Sequence, residues 1–295
     1  MIDPNTAIEA CRFFHDASLM LLWGASAFLC FLVPTVLAEK VWRMFGIAPF
    51  LAVLVAGLTM LASLPLASAT IGNGWSDAFD AGTIHDILFE TTVGQAWLAQ
   101  AAAALILVLA FLPSARWRRP GVALGSGLGL AALMLTGHAS MHEGWLRLAH
   151  RSNDILHVLA GGGWLGALVP LVPILRLLNT PEERAEALLA LRRFSAVGHG
   201  AVALVIASGF VNTMLVLQRL PTNWSSPYQA LLAVKIVLVA GMSLLAIINR
   251  YILVPRMRHD RARALSAIRR GSIAEIVLGI AVIALVAVFG MLEPV

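Results

Sequence analysis

Charge and sulfur are both scarce in this chain. Of 295 residues only 13% are charged, and only two, Cys11 and Cys30, are cysteine. So little charge over so great a length excludes an ordinary soluble domain, in which about a quarter of residues are charged. The two cysteines stand nineteen apart, about 28 Å if on one helix, too far for a disulfide. No CxxC pair is present, so thiolate-based metal transfer and redox exchange have no support. The sequence also lacks a Walker-type Gly/Lys loop and a phosphorylatable Asp motif, which disfavours an ATP-driven pump. Asp3 and Glu9 stand where a signal peptide carries a basic region, so no cleaved leader is expected.

What the chain has instead is apolar length. Hydrophobic residues make up 59% of it and the mean hydropathy is +0.84. A hydrocarbon core of about 30 Å takes about 20 helical residues to cross, and eight runs meet that length: roughly 13–37, 47–70, 92–112, 121–141, 153–177, 194–218, 228–250 and 271–291. The runs are continuous rather than alternating, which excludes a β-barrel. The expected fold is therefore all-α, a polytopic membrane protein with eight transmembrane helices in one integral domain, residues 1–295.

Lys and Arg decide orientation. Sixteen of them follow the first, third, fifth and seventh runs, including Arg116, Arg118, Arg119 and the cluster Arg250 to Arg270, against four at the other ends and Lys235 inside a helix. Both termini are thus expected outside. The net charge of +5 and pI near 10 mark a lipid-facing cytoplasmic side, not nucleic-acid binding.

The two halves of the chain, about 1–145 and 150–295, echo one another. His15, Trp23-Gly24-Ala25 and Pro34 in the first run match His157, Trp164-Leu165-Gly166-Ala167 and Pro170 in the fifth. Since both runs enter from outside, the pattern suggests a parallel four-plus-four repeat, with His15 and His157 at equivalent depths.

Polar residues placed where they are expensive carry the chemistry. Four of eight histidines fall between Gly137 and Gly166. If the fourth helix runs on to Gly144, His138, Met141 and His142 share one face; Asp154 and His157, three apart, share another. Imidazole with thioether suits copper, either Cu(I) or Cu(II). The candidate ligands are His138, His157, His15, His142 and Met141. Asp154 would orient a histidine through its second nitrogen, and Lys235 would pair with Asp154. His150 reads as a loop residue, and Met20 and Met134 as space-fillers. His199 and Glu275 are candidates for an inner station. The alternatives are a haem-binding membrane cytochrome, for which His15, His138 and His157 offer imidazoles, and a copper-binding sensor or scaffold that moves nothing.

Several short motifs carry a resemblance. Asp154-x-x-His157, Trp164-Leu165-Gly166, Arg193-Phe194-Ser195, Ser208-Gly209, Pro227-Tyr228, Leu232 to Lys235 and Asn249-Arg250, with His15 and Gly137-His138-Ala139 before them, resemble the copper resistance protein D family. The resemblance covers most of the chain. It implies a bacterial inner-membrane copper homeostasis protein, not an enzyme, that moves copper inward and works with a separate periplasmic copper-binding protein, Trp164 being among its supporting residues. No run before the first span is long enough for a fused soluble copper-binding domain.

Overall fold

The computed structural model describes residues 2–112, 115–137 and 141–293. The chain is 84% helical, and the described residues form no strand. Its helices are α1 (Pro4–Phe31), α2 (Thr35–Met44), α3 (Ala48–Ile71), α4 (Ala81–Glu90), α5 (Thr92–Leu109), α6 (Ala115–Leu133), α7 (Gly144–Leu177), α8 (Arg184–Leu217), α9 (Pro227–Ile248), α10 (Val254–Arg256) and α11 (Arg261–Phe289). A π turn, Asn249–Leu253, joins α9 to α10, so that Pro227–Arg256 is one rod. Among the described residues seven helices are long and apolar enough to cross a membrane.

The fourth expected span is the one that differs. It maps onto α6, which starts inside the arginine cluster and stops at Leu133, eight residues short of the expected end. Its first five residues include Arg116, Arg118 and Arg119, too much charge for a helix of this length to count as apolar. Gly137 then takes φ 98°, a left-handed conformation that glycine tolerates and a helix does not. α6 therefore does not run on through Met141 and His142 to Gly144, and these two residues do not extend its face. α6 nevertheless packs between α1 and α5. Its glycines let it close: Gly127 lies against the Trp23 ring and Gly125 against Leu107.

α1 is the central helix, in contact with α3, α6, α7 and α11. Its closest neighbour is α7. A Cβ on Gly24 would run into the backbone of Gly162 and Gly166 at once, so these three glycines set the separation of the two helices. Trp23 Nε1 donates to the Leu159 carbonyl (2.9 Å) across the same contact. The largest apolar core lies toward one end of the bundle, around Leu29, Leu37, Leu168, Leu171, Ile174 and Leu178.

The two ends of the bundle differ in chemistry. One gathers the N-terminus, the end of α11 and the 72–91 segment: Trp75 Nε1 donates to the Ile2 carbonyl (2.9 Å) and Arg12 reaches Met291. The other gathers the basic loops, tied by Lys40 to Glu183 and by Arg261 to the Leu178 carbonyl. On the terminal end the 72–91 segment is ordered by its own acids. Asp80 caps α4 by accepting from Thr83 N (2.8 Å), and Asp77 accepts from Asn73 N (2.7 Å). These bonds hold both carboxyls below the usual carboxylate range, the Asn73 and Thr83 backbone amides being the main causes.

Candidate functional site

Helical spacing splits the polar residues of α1 into two stripes. Arg12, Asp16 and Met20 recur every four residues and line one cavity, Arg12 reaching the end of α11. Cys11 and His15 lie on the adjoining stripe and face α3. The first stripe opens onto a cavity of about 310 Å3 bounded by α1, α7, α8, α9 and α11.

α7 provides the polar wall of this cavity. His150, Asp154, His157 and Gly161 follow one another at turns of the helix and all line it, with Trp164 and Leu165 deeper along the same face. α7 begins at Gly144 rather than 153 because residues 144–152 are themselves an amphipathic turn. Trp145 and Leu148 stand 78% and 69% exposed, whereas His150 is 1% exposed. His150 is therefore no loop residue. Its Nε2 lies 3.7 Å from Asp154 Oδ2, and its ring packs against that of His142 with centroids 5.2 Å apart. Within the rim His142 keeps a buried Nε2 that has no hydrogen-bond partner among the described residues. Met141, next to it, is more than half exposed. His138 lies outside the described residues.

His157 is held from α8. Its Nδ1 sits 2.8 Å from Ser208 Oγ, and Ser208 Oγ lies 2.5 Å from the Leu204 carbonyl of its own helix. A carbonyl only accepts, so the single hydroxyl proton goes to Leu204 and Ser208 must accept from His157 Nδ1–H. That bond fixes the tautomer and leaves the lone pair on Nε2 available. Around it, Asn153 Nδ2 donates to the Ser208 carbonyl (2.9 Å) and to Asn212 Oδ1, while Asn212 hydrogen-bonds Asp154. Three neighbouring polar side chains, Ser208, Asn153 and Asn212, thus orient one imidazole and one carboxylate.

His15 has the same kind of partner in the other half. Its Nδ1–H donates to the Ala56 carbonyl (3.1 Å) and sits 3.0 Å from Thr59 Oγ1, whose own proton goes to Val55 (2.7 Å). Its Nε2, however, is buried in a separate, nearly filled pocket with Leu19, Gln100 and Gly129, not in the cavity of His157. Each half therefore has a histidine on its first long helix bonded to a hydroxyl on the next. Only the second of these histidines lines the cavity, although first-half residues contribute to its wall.

Lys235 and Asp154 line the cavity together and feel each other's charge, but no contact within 4 Å closes them into a salt bridge. Lys235 Nζ instead lies over the Phe289 ring, 5.8 Å from its centroid. At the deeper end the two inner candidates separate. His199 is exposed and exchanges its hydrogen bonds with the Ser195 carbonyl and Tyr251 hydroxyl (3.1 Å). Glu275 is 2% exposed and accepts from Asn249 Nδ2 (2.9 Å), with the Trp164 indole as its other partner.

Sequence reasoning missed His150, Ser208, Asn153 and the methionines Met20, Met134 and Met242, all of which bear on this cavity. The Arg12–Asp16–Met20 spacing was the available signal for Met20. No three His, Cys, Asp or Glu side chains among the described residues stand close enough to hold a metal ion by themselves. The chemistry on offer is instead a file of single imidazoles along one helix, facing thioethers from three other segments, which is a soft-metal environment. Two imidazoles facing each other from different helices, as bis-histidine haem ligation needs, are not found among the described residues of the cavity.

Comparison with known proteins agrees with this chemistry. Residues 1–148 match the family model for the copper resistance protein D-like N-terminal domain, and residues 188–289 match that for copper resistance protein D. Inner membrane protein YebZ of Escherichia coli (strain K12) is 31% identical over 97% of this chain and 97% of its own length. Copper resistance protein D of Pseudomonas syringae pv. tomato is 32% identical over the whole chain and 98% of its length, and copper transport protein CutJ of Bacillus subtilis (strain 168) is 31% identical over 79% of the chain and 43% of its length. No solved structure matches. Two family models that tile most of the sequence, and relatives matched nearly end to end, lead to one conclusion: the chain is a multi-pass membrane protein of the copper resistance protein D family.

Proposed function

We propose that this protein binds copper in the cavity along α7 and moves it inward across the bacterial inner membrane. The observation that carries the reading is the file His150, Asp154, His157 on one face of α7, opening at a rim where His142 packs on His150. Copper is the cargo. It enters past His142 and Met141, is passed from His150 to His157 Nε2, and meets the thioethers of Met20, Met134 and Met242; His138, four residues before His142 in sequence, is a further ligand in this reading. Exchange between one- or two-coordinate sites suits a transported ion better than a closed four-ligand site, which would hold it. Asp154 attracts the ion and orients His150, and Lys235 keeps the carboxylate from trapping it. His15 has a packing role in this scheme, bonding α1 to α3.

In this reading α6 is an eighth span, both termini and the cavity mouth face the periplasm, and the arginine-rich end faces the cytoplasm. The matched His–hydroxyl contacts of α1 with α3 and α7 with α8 support a four-plus-four repeat in which only the second half kept an open site. A separate periplasmic protein delivers the copper, docking at the outer rim. Purified protein in proteoliposomes with a trapped Cu(I) chelator tests the reading. Uptake that His157→Ala and His150→Ala both abolish, with insertion intact, is the expected result; binding without uptake in the wild type would make the protein a sensor or scaffold instead.

A further inference from the structure

The polar pair beneath the cavity has a different chemistry from the cavity itself. Trp164 and Leu165 form its floor, and Leu165 fills the space that a side chain at position 279 would take. One turn below Gly279 on α11 lies Glu275, bonded to Asn249 and the Trp164 indole. Asn249 opens the π turn of the α9–α10 rod, a distortion that recurs at functional sites. Its approach depends on Gly271, where a Cβ would stand 2.7 Å from Asn249 Oδ1.

Glu275 has only neutral partners. The helices packed on α11 carry no ionisable side chain near this depth: none occurs on α7 between His157 and Arg176, none on α9 between Lys235 and Arg250, and on α1 only Cys30 after Asp16. Arg250, beside Asn249, is engaged by Ser195 on α8, and on α11 itself the nearest cations are Arg269 and Arg270, more than a turn away. A buried carboxyl inside a membrane protein with no fixed counter-charge is costly and marks an ion or proton pathway. The oxygens of Glu275 and Asn249 are hard donors, a poor match for Cu(I) and a good one for a proton or sodium ion.

We infer that Glu275 and Asn249 form a second cation station below the cavity floor, taking a hard monovalent cation, a proton or sodium, whose movement is coupled to that of copper. The inference rests on the transport reading above. When copper passes the floor, the carboxylate offsets its charge and the hard cation departs; when copper leaves, the cation returns, so charge at the station balances throughout. His199, turned outward to Tyr251, takes no part.

The test uses the same proteoliposomes under two gradients, pH without sodium and sodium at clamped pH, together with copper stoichiometry of the purified protein. Wild-type uptake should change at least about 5-fold with one gradient, the low end of coupling between two sites; the pH arm identifies a proton and the sodium arm sodium. Glu275→Gln should lose that dependence and still bind copper in the cavity. Should it fail to insert, Asn249→Ala, which keeps the carboxyl, should shift the half-saturating concentration of the coupling cation. Wild-type uptake indifferent to both gradients, or either variant retaining the wild-type dependence, overturns the inference while leaving copper transport standing. No wild-type uptake at all removes both.

Discussion

Removing one hydroxyl, Ser208→Ala, should weaken copper binding without touching a ligand. Ser208 accepts from His157 Nδ1–H at 2.8 Å because its own proton is committed to Leu204. In the alanine variant the imidazole loses the bond that selects its tautomer, and the form with the proton on Nε2 competes. A net intramolecular hydrogen bond contributes about 0.5–1.5 kcal/mol, which converts to about 2- to 13-fold in affinity. Lost orientation of a metal-binding histidine costs about 10- to 100-fold. Where the two ranges meet, about 10-fold, is the expected weakening. Competition of purified protein against a Cu(I) chelator measures it, with Ser208→Thr as the conservative variant that should restore affinity and His157→Ala as the limit of complete loss. Wild-type affinity in Ser208→Ala alongside loss in His157→Ala would refute the orienting role.

Other perturbations probe the rest of the account. Gly24→Ala places a methyl against the backbone of Gly162 and Gly166, which cannot rotate away; overpacking of this kind costs about 1–3 kcal/mol, seen as a lower melting temperature in detergent, whereas Gly161→Ala, whose new Cβ would be 3.8 Å from Val205, should melt like the wild type. Lys235→Met removes a positive charge from the wall of a cation's cavity and should tighten copper binding by about 5-fold or more, since a unit charge even one or two turns away at intermediate dielectric contributes on the order of 1 kcal/mol; weaker binding would mean that Lys235 organises the site. In the 72–91 segment Asp77 and Asp80 are held below the usual carboxylate range, so their stabilisation is full above about pH 4, near the ordinary carboxylate value, and lost as pH falls through the depressed folded values. Amide-exchange protection factors over residues 73–90, which remove the intrinsic pH dependence of exchange, should therefore fall below that pH and stay flat between pH 5 and 8.

Most of the architecture was legible because apolar length is a one-dimensional signal. Seven of the expected spans are long apolar helices, and positive charge gathers at one end of the bundle as the sequence suggested. α6 misled at both ends for local reasons: its start is charged, and beyond its end at Leu133 the chain turns and reaches a left-handed glycine, Gly137, neither of which an average over apolar residues registers. The site was legible only in part, because a sequence gives spacing but not rotation. Asp154 and His157 were found from their three-residue separation, and they share the cavity. His150 was misread because its segment is inverted, with the apolar Trp145 and Leu148 turned outward and the imidazole turned in. His15 and His157 were paired by the internal echo, and their hydroxyl partners do match, yet the helices turn them into different pockets. Met20 and Met134 looked like filler because burial of a thioether says nothing of what it faces.

The central claim is that copper resides in the α7 cavity between His157 and the thioethers. An anomalous difference map at the copper edge from copper-loaded protein tests this most directly. The account predicts a peak within bonding distance of His157 Nε2, lost in His157→Ala. A peak at His15, a peak that survives in His157→Ala, or none in the cavity would contradict it.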